Sequence, residues 1–310
     1  MIKYRIEKIM PEKILILGAG GFSGLHFCEF LETQGLLPGY SVCGADLTPF
    51  SFKGVRCVTA DLTGYPEVEK LLKAERPDYI VNFSGLLRHD SPEAIIASNA
   101  GISFNVMEAL VKNKLKVRKL LLIGSAAEYG KAVKLPLTET SPLVPVNIYG
   151  LAKTAQAMYA AYFHRLHCLP VCLARTFNLI GRRVKPTLAI GAFLERIAAV
   201  PDGGTIKTGD LGARRDYLDI SDAVSAYWKC LTDGTPGEVY NVSSGASVTM
   251  ETIVSLMIKH SGKKIKFETE ASLLRGGEPD DSRGDNAKMR ALGWEPRVSV
   301  ETAVSRLFQA

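Results

Sequence analysis

Apolar residues fall along this chain in short unbroken runs, separated by stretches where they recur every three or four positions. Ile14-Leu15-Ile16-Leu17, Val42-Cys43-Gly44-Ala45, Tyr79-Ile80-Val81, Leu120-Leu121-Leu122-Ile123 and Val171-Cys172-Leu173-Ala174 are runs of the first kind. None alternates polar with apolar, so each predicts a strand covered on both faces, the habit of central parallel strands. Amphipathic segments at about 22 to 34, 66 to 74, 92 to 113 and 149 to 167 predict helices between them. Strand and helix alternating at this spacing predict right-handed crossovers: an α/β fold with a Rossmann-type doubly wound parallel sheet.

The rhythm breaks after about residue 178. Segment 181 to 212 is rich in Gly, Pro and Arg, 219 to 231 reads as a helix with Asp222 in its first turn, and 238 to 242 reads as one more strand. Short helices and a charged loop at 275 to 288 follow. The expected division is a large domain of 11–177 plus 213–242 and a smaller C-terminal α/β lobe of 178–212 plus 243–310.

With 310 residues the chain can bury a sizeable core, and 46% hydrophobic with 23% charged residues is an ordinary globular balance. No uninterrupted apolar stretch is long enough to span a bilayer, and the basic start, Met1 to Met10, lacks the apolar core of a secretory signal. A cytoplasmic protein with no membrane partner is expected. The six cysteines form no C-x-x-C pair and read as small buried hydrophobes; the five histidines lack metal-ligand spacing, so no metal is assigned. The net charge of +6 suits a polyanionic small molecule, while the lack of a dense basic stripe argues against nucleic acid.

Three clusters carry candidate chemistry. Gly18, Gly21 and Gly24 form a G-x-x-G-x-x-G loop, with Phe22 and Ser23 inside it, between the first strand and a helix. Such a loop permits a tight turn, close backbone approach to a pyrophosphate, and tight helix–strand packing, with the helix N-terminus facing the phosphates. A plain strand-to-helix turn would look the same in the glycines alone. Asp46 lies just after the second strand, where a carboxylate accepts both ribose hydroxyls of NAD and repels the extra phosphate of NADP. NAD is therefore expected over NADP, although a turn aspartate would also stand here. Asp61-Leu62 after a third strand, and Phe83-Ser84-Gly85 after the fourth, are placed along the same cofactor cleft.

Tyr149 and Lys153, four apart at a helix start, share one face of it. A tyrosine with pKa of about 10 needs a fall of roughly three units to shuttle a proton near neutrality. A lysine charge about 4 Å away supplies energy of that order. Ser125, ending the fifth strand, can donate to a substrate oxygen and complete a Ser, Tyr, Lys triad at the sheet edge where ligands bind in such folds. Each residue alone could be a surface or turn position.

Gly18/Gly21/Gly24, Asp46, Ser125 and Tyr149/Lys153, in this order and spacing, resemble the extended short-chain dehydrogenases/reductases over essentially the whole chain. The resemblance implies nucleoside-diphosphate sugars as substrates and homodimers built through the helices 92 to 113 and 149 to 167. The family's 4,6-dehydratases carry an acid where this chain has Ala127, and Glu128, one residue off on a strand end, should point elsewhere. The stretches 175–181 and 209–217 resemble the GDP-mannose branch, its GDP-4-dehydro-6-deoxy-mannose reductases above all. By that resemblance Asn178 and Arg215 hold the diphosphate, and a guanidinium fork suits phosphate oxygens. Leu274 to Pro279 partly matches a reductase loop in which Arg275 would bind phosphate and Glu278 a ribose. Arg214 reads as a solvated surface residue, Asp222 as a helix cap or helix-start charge, and Arg88, with His89, as either a sugar-pocket contact or a loop residue.

The implied activity is an NAD(P)H-dependent reduction of a nucleoside-diphosphate 4-keto-6-deoxy sugar, with hydride to C4 and Tyr149 as proton donor. Two departures stand out: such reductases usually take NADPH where Asp46 favours NAD, and Arg182-Arg183 replaces a Pro-Gly step. A redox-neutral NAD-dependent 4-epimerase would use the same triad, and a non-catalytic dinucleotide-sensing module would need only the glycine loop.

Overall fold

The computed structural model describes residues 11–131, 134–270 and 280–309. From the start of the chain, β1 (Glu12–Leu17) leads to α1 (Phe22–Thr33), β2 (Tyr40–Asp46), β3 (Arg56–Thr59), α2 (Tyr65–Glu75) and β4 (Tyr79–Asn82). A long helix follows in three pieces: α3 (Pro92–Ile96), a π turn over Ala97–Gly101, and α4 (Ile102–Lys112). Next come β5 (Lys119–Ser125), α5 (Ile148–His167) and β6 (Val171–Thr176). β7 (Asn178–Ile180), α6 (Ala189–Ala199), β8 (Thr205–Thr208), β9 (Arg214–Asp219), α7 (Ile220–Asp233) and β10 (Val239–Val242) continue the chain. It ends in β11 (Ser247–Thr249), α8 (Met250–Ser261), β12 (Lys266–Thr269), β13 (Asp281–Ser282), α9 (Ala287–Ala291) and α10 (Val300–Ser305).

The seven-stranded sheet runs β10-β6-β5-β4-β1-β2-β3, and every neighbouring pair is parallel. This is the Rossmann order with a seventh strand added beside β6. The apolar runs are its central strands: Leu15, Ile16, Ile80, Val81, Leu120, Leu121 and Leu122 are fully buried. Two cores form because each run feeds both faces. Ile14 and Ile16 pack toward α1 and α7, while Leu15 and Leu17 pack toward α2, α4 and α5. Pro92–Lys112 is long and apolar enough to cross a membrane, yet it is broken by Glu93 and Glu108, and 56% of its apolar window is buried within the fold. α4 rests on α2 and α5.

The smaller lobe has its own core around Ile180, Ile190, Phe193, Ile253 and Met257. Its four-stranded sheet consists of β11, β9, β13 and β7. Thus 213–242 divides: β9 pairs in the small sheet, whereas β10 completes the large one. The chain also returns late, since Met289 and Trp294 are buried in the core beneath α7. Trp294 Nε1 donates to Ser225 Oγ at 2.9 Å. Asp222 is not the cap of α7; Asp219 is, accepting from Ser221 N at 2.8 Å. Asp222 is buried and accepts instead from the backbone of Arg297 at 2.9 Å and Val298 at 2.8 Å. Cysteines 28, 43, 172 and 230 are buried as expected, but Cys168 is exposed, because it ends α5 in the left-handed region at φ 51°.

Candidate active site

The glycine loop is closed by sterics. Gly18 sits at φ 74°, and a Cβ there would lie 2.7 Å from Ser84 N. A Cβ on Gly24 would lie 2.3 Å from Gly18 O, so α1 can approach β1 only over glycine. Gly24→Ala should therefore weaken dinucleotide binding at least tenfold and cost about 1–3 kcal/mol of stability. NADH fluorescence titration and a thermal melt check both effects.

No side chain caps α1, which leaves its first-turn N–H groups for an anion. Asp46 Oδ2 accepts from Gly20 N at 2.9 Å, which fixes the carboxylate beside the loop. Ser84 N donates to Asn82 Oδ1 at 3.0 Å and turns the chain after β4. Phe22, Ser23, Phe83 and Gly85 line a cavity of about 1060 Å³ between the two lobes. Asp61 and Leu62 follow β3 and are not among the residues that line this cavity. The exposed Asp61 carboxylate accepts from Thr63 Oγ1 at 2.7 Å, which holds it below the usual carboxylate range, and Leu62 is core.

The same cavity is lined by Ser125, Tyr149 and Lys153. Ser125 ends β5, and α5 starts at the Asn147 cap, whose side chain accepts from Gly150 N at 2.8 Å. Lys153 Nζ donates to Ile123 O at 2.8 Å and lies 6.0 Å from the centre of the Tyr149 ring. The electrostatics of the cavity wall work against the expected lowering of the tyrosine. Desolvation in the cavity wall pushes the Tyr149 phenol up to about 12, and the hydrogen bond with Ser125 pulls back only part of the way. Burial likewise brings Lys153 down to about 8, with Glu128 opposing. The lysine charge is spent on a carbonyl and stands off the ring, so burial wins and Tyr149 keeps its proton.

Glu128 is not on a strand end but on a 3-10 turn, and it is fully buried. Its Oε1 accepts from Ser125 N at 2.7 Å and its Oε2 from Arg175 Nε at 2.8 Å. Arg175 Nη1 also donates to Tyr129 Oη at 2.9 Å, and Tyr129 Oη donates to Asn241 Oδ1 at 2.7 Å. The carboxylate thus faces away from the cavity and braces the strand end that carries Ser125.

Asn178, Arg215 and Arg88 also line the cavity. Asn178 Nδ2 donates to Asp216 O at 3.3 Å, and Arg215 Nη1 donates to Arg214 O at 2.8 Å. Asp216 is buried and anchors this wall, accepting from Ser244 N at 2.8 Å, Gly245 N at 3.0 Å and Gly284 N at 3.2 Å. Arg214 is not simply solvated: it donates to Ser247 O at 2.5 Å and lies 3.8 Å from Asp281. His89 serves its loop, with Nδ1 accepting from Ser91 N at 3.0 Å. Arg183 pairs with Glu29 on α1 at 2.5 Å. Arg275 and Glu278 lie outside the described residues.

Sequence reading missed Asn99 and Gln156. Asn99 is fully buried on the π turn and lines the cavity, and its Oδ1 has no hydrogen-bond partner among the described residues. The only signal in the sequence was an amide among apolar helix positions. An orphaned acceptor beside an uncapped helix, a glycine cradle and a fixed carboxylate fits a dinucleotide, whose hydroxyls and phosphates would meet those groups.

The sequence profile of the NAD dependent epimerase/dehydratase family matches residues 14–243. The chain is 26% identical to GDP-6-deoxy-D-mannose reductase of Pseudomonas aeruginosa, over 96% of this chain and 97% of that one. It is 30% identical to probable UDP-arabinose 4-epimerase 3 of Arabidopsis thaliana, over 78% of this chain and 64% of that one. Among solved structures, RMD from Pseudomonas aeruginosa complexed with NADPH superposes with a TM-score of 0.81 at 23% identity, covering 96% and 97% of the two chains. UDP-glucose 4-epimerase from Thermotoga maritima with UDP-glucose superposes with a TM-score of 0.84 at 25% identity, again covering 96% and 97%.

Proposed function

This chain belongs to the NAD-dependent epimerase/dehydratase family of nucleotide-sugar enzymes, and from that premise we propose that it reduces the 4-keto group of a nucleoside-diphosphate 4-keto-6-deoxy sugar, a GDP-sugar by preference. The observation that carries the reading is Tyr149, Ser125 and Lys153 brought together on one cavity wall, while the neighbouring acid, Glu128, is turned into the protein against Arg175. A dehydratase needs an acid at that place in the cavity; a reductase needs only a proton donor. The identity to GDP-6-deoxy-D-mannose reductase supports the choice of substrate.

Ser125 and Tyr149 hydrogen-bond the ketone oxygen and orient the carbonyl. A reduced nicotinamide dinucleotide held in this cavity would supply the hydride for C4. Tyr149 gives its phenolic proton to the resulting alkoxide, and Lys153 holds the nicotinamide ribose. Gly18, Gly21 and Gly24 admit the pyrophosphate to the end of α1, and Asn178 and Arg215 hold the substrate diphosphate. The six free cysteines support a reducing, cytoplasmic setting. The exposed Leu151, Met158, Tyr162 and Leu166 of α5 support a homodimer through the α4 and α5 faces.

The test is oxidation of NADH and of NADPH with GDP-4-dehydro-6-deoxy-mannose as substrate. Turnover with NADH ahead of NADPH is expected, because Asp46 would meet a ribose phosphate as like charge. Asp46→Ala should shift the ratio toward NADPH by on the order of tenfold, the scale of one like-charge contact. An unchanged ratio removes Asp46 from cofactor choice. No oxidation of either cofactor, with NAD retained through purification, would favour a 4-epimerase, the alternative that a carboxylate at position 46 also suits.

A further inference from the structure

Behind Lys153 lies a closed set of amide and hydroxyl groups with no role in the chemistry above. Gln156, one turn further along α5, is 1% exposed. Its Nε2 donates to Ile123 O at 3.1 Å, the same carbonyl that takes a bond from Lys153. Its Oε1 accepts from Lys153 Nζ at 3.2 Å and from Ser103 Oγ at 3.1 Å. Ser103 in turn accepts from Asn82 Nδ2 at 3.1 Å, and its one hydroxyl proton is shared between Gln156 and Asn99 O, 2.9 Å away. Gln156 therefore clasps β5 with one end and the ammonium with the other.

We propose that Gln156 is the positioning residue for Lys153: it fixes the ammonium against β5, keeps it charged, and leaves the third N–H free to meet the cofactor ribose. The proposal rests on the cofactor role given to Lys153 above. An ammonium has three donors. Ile123 O and Gln156 Oε1 take two of them, which leaves the third. The charged form is costly in so dry a place, and a neutral amide oxygen lowers that cost without adding a charge that would compete for the cation.

The charged and titratable groups around Lys153 are few. Glu128, from the turn after β5, raises its proton affinity but is itself engaged by Arg175. Tyr149 lies on the same helix, and Tyr227 of α7 acts on Tyr149. From the π turn and α4 come only the uncharged Asn99 and Ser103, and from β4 the uncharged Asn82.

The experiment follows NADH affinity by fluorescence from neutral to alkaline pH, in the wild type, Gln156→Leu, Gln156→Glu and Lys153→Ala, each checked for folding by circular dichroism. It needs no sugar substrate. Wild-type affinity should fall as pH passes about 8, where Lys153 loses its proton. A hydrogen bond to a charged group is worth roughly tenfold in such an equilibrium, so the break should move about one pH unit lower in Gln156→Leu. In Gln156→Glu it should move at least as far upward, because a carboxylate replaces the amide oxygen. A merely structural glutamine would move both variants alike or neither. A break lost in Lys153→Ala but unmoved in Gln156→Glu overturns the proposal alone. A break that persists in Lys153→Ala overturns the reading of Lys153 and the proposal with it.

Discussion

Tyr149→Phe is expected to reduce turnover by at least a thousandfold while leaving folding and NADH affinity within about twofold of the wild type. The replacement removes one hydroxyl from the cavity wall and keeps the ring. General acid help is typically worth 10² to 10⁴ in rate, and here the proton has no second donor of matching placement in the proposed pose. Ser125 can hydrogen-bond the ketone oxygen, yet a serine hydroxyl is a far weaker acid. The pH profile separates this from a trivial loss. Tyr149 holds its proton up to about 12, so the donor itself does not limit the rate near neutrality. The alkaline limb of kcat/KM should instead fall near pH 8, where the lysine titrates. Near-normal turnover in a folded Tyr149→Phe protein would remove the proposed proton donor.

The second large effect is on stability. Arg175→Leu leaves the Glu128 carboxylate buried without the cation that hydrogen-bonds it, and Glu128 and Arg175 are 0% and 3% exposed at their side chains. Removing one partner of a buried ion pair costs about 3–5 kcal/mol. On a chain of this size that is a fall in melting temperature of roughly 10 °C. A paired change of Glu128 and Arg175 to apolar residues of similar volume should recover much of it, since no charge is then stranded. It should not recover full turnover, because Ser125 N would lose the acceptor that holds the strand end. Differential scanning calorimetry on the single and double variants decides the point. A single variant melting with the wild type would mean that water reaches the pair.

The large sheet was legible because burial on both faces leaves unbroken apolar runs, and the runs at 14–17, 79–81, 120–123 and 171–174 all lie within observed strands. The helix of 92–113 was legible as a period, but its π turn was not: Ala97 to Gly101 carries no residue that forces one. β9 escaped assignment to the small lobe because Arg214 to Asp219 mixes charge with apolar residues, and its partners lie far along the chain. The glycine loop and the Ser125, Tyr149, Lys153 placement could be read because spacing alone brings those residues to one sheet edge. The direction of the tyrosine shift could not be read, because it depends on how dry the cavity wall is and on where the lysine spends its charge. Gln156 and Asn99 were invisible for a similar reason. An amide on a helix announces itself only when its burial and partners are known.

Met289 and Trp294 lie under α7 and follow every strand of the large sheet along the chain, and yet they close its core. A nascent chain that has emitted all of the large sheet therefore still exposes the apolar underside of α7 until some fifty residues more have emerged after β10. The two lobes cannot mature in turn. Pieces of the two lobes interleave along the chain, since α10 returns to the small-lobe core after Trp294, and each waits on the other. We expect the two lobes to fold together in one cooperative step, and a chain truncated before Met289 to be held by chaperones or degraded rather than to survive as a free dinucleotide-binding fragment.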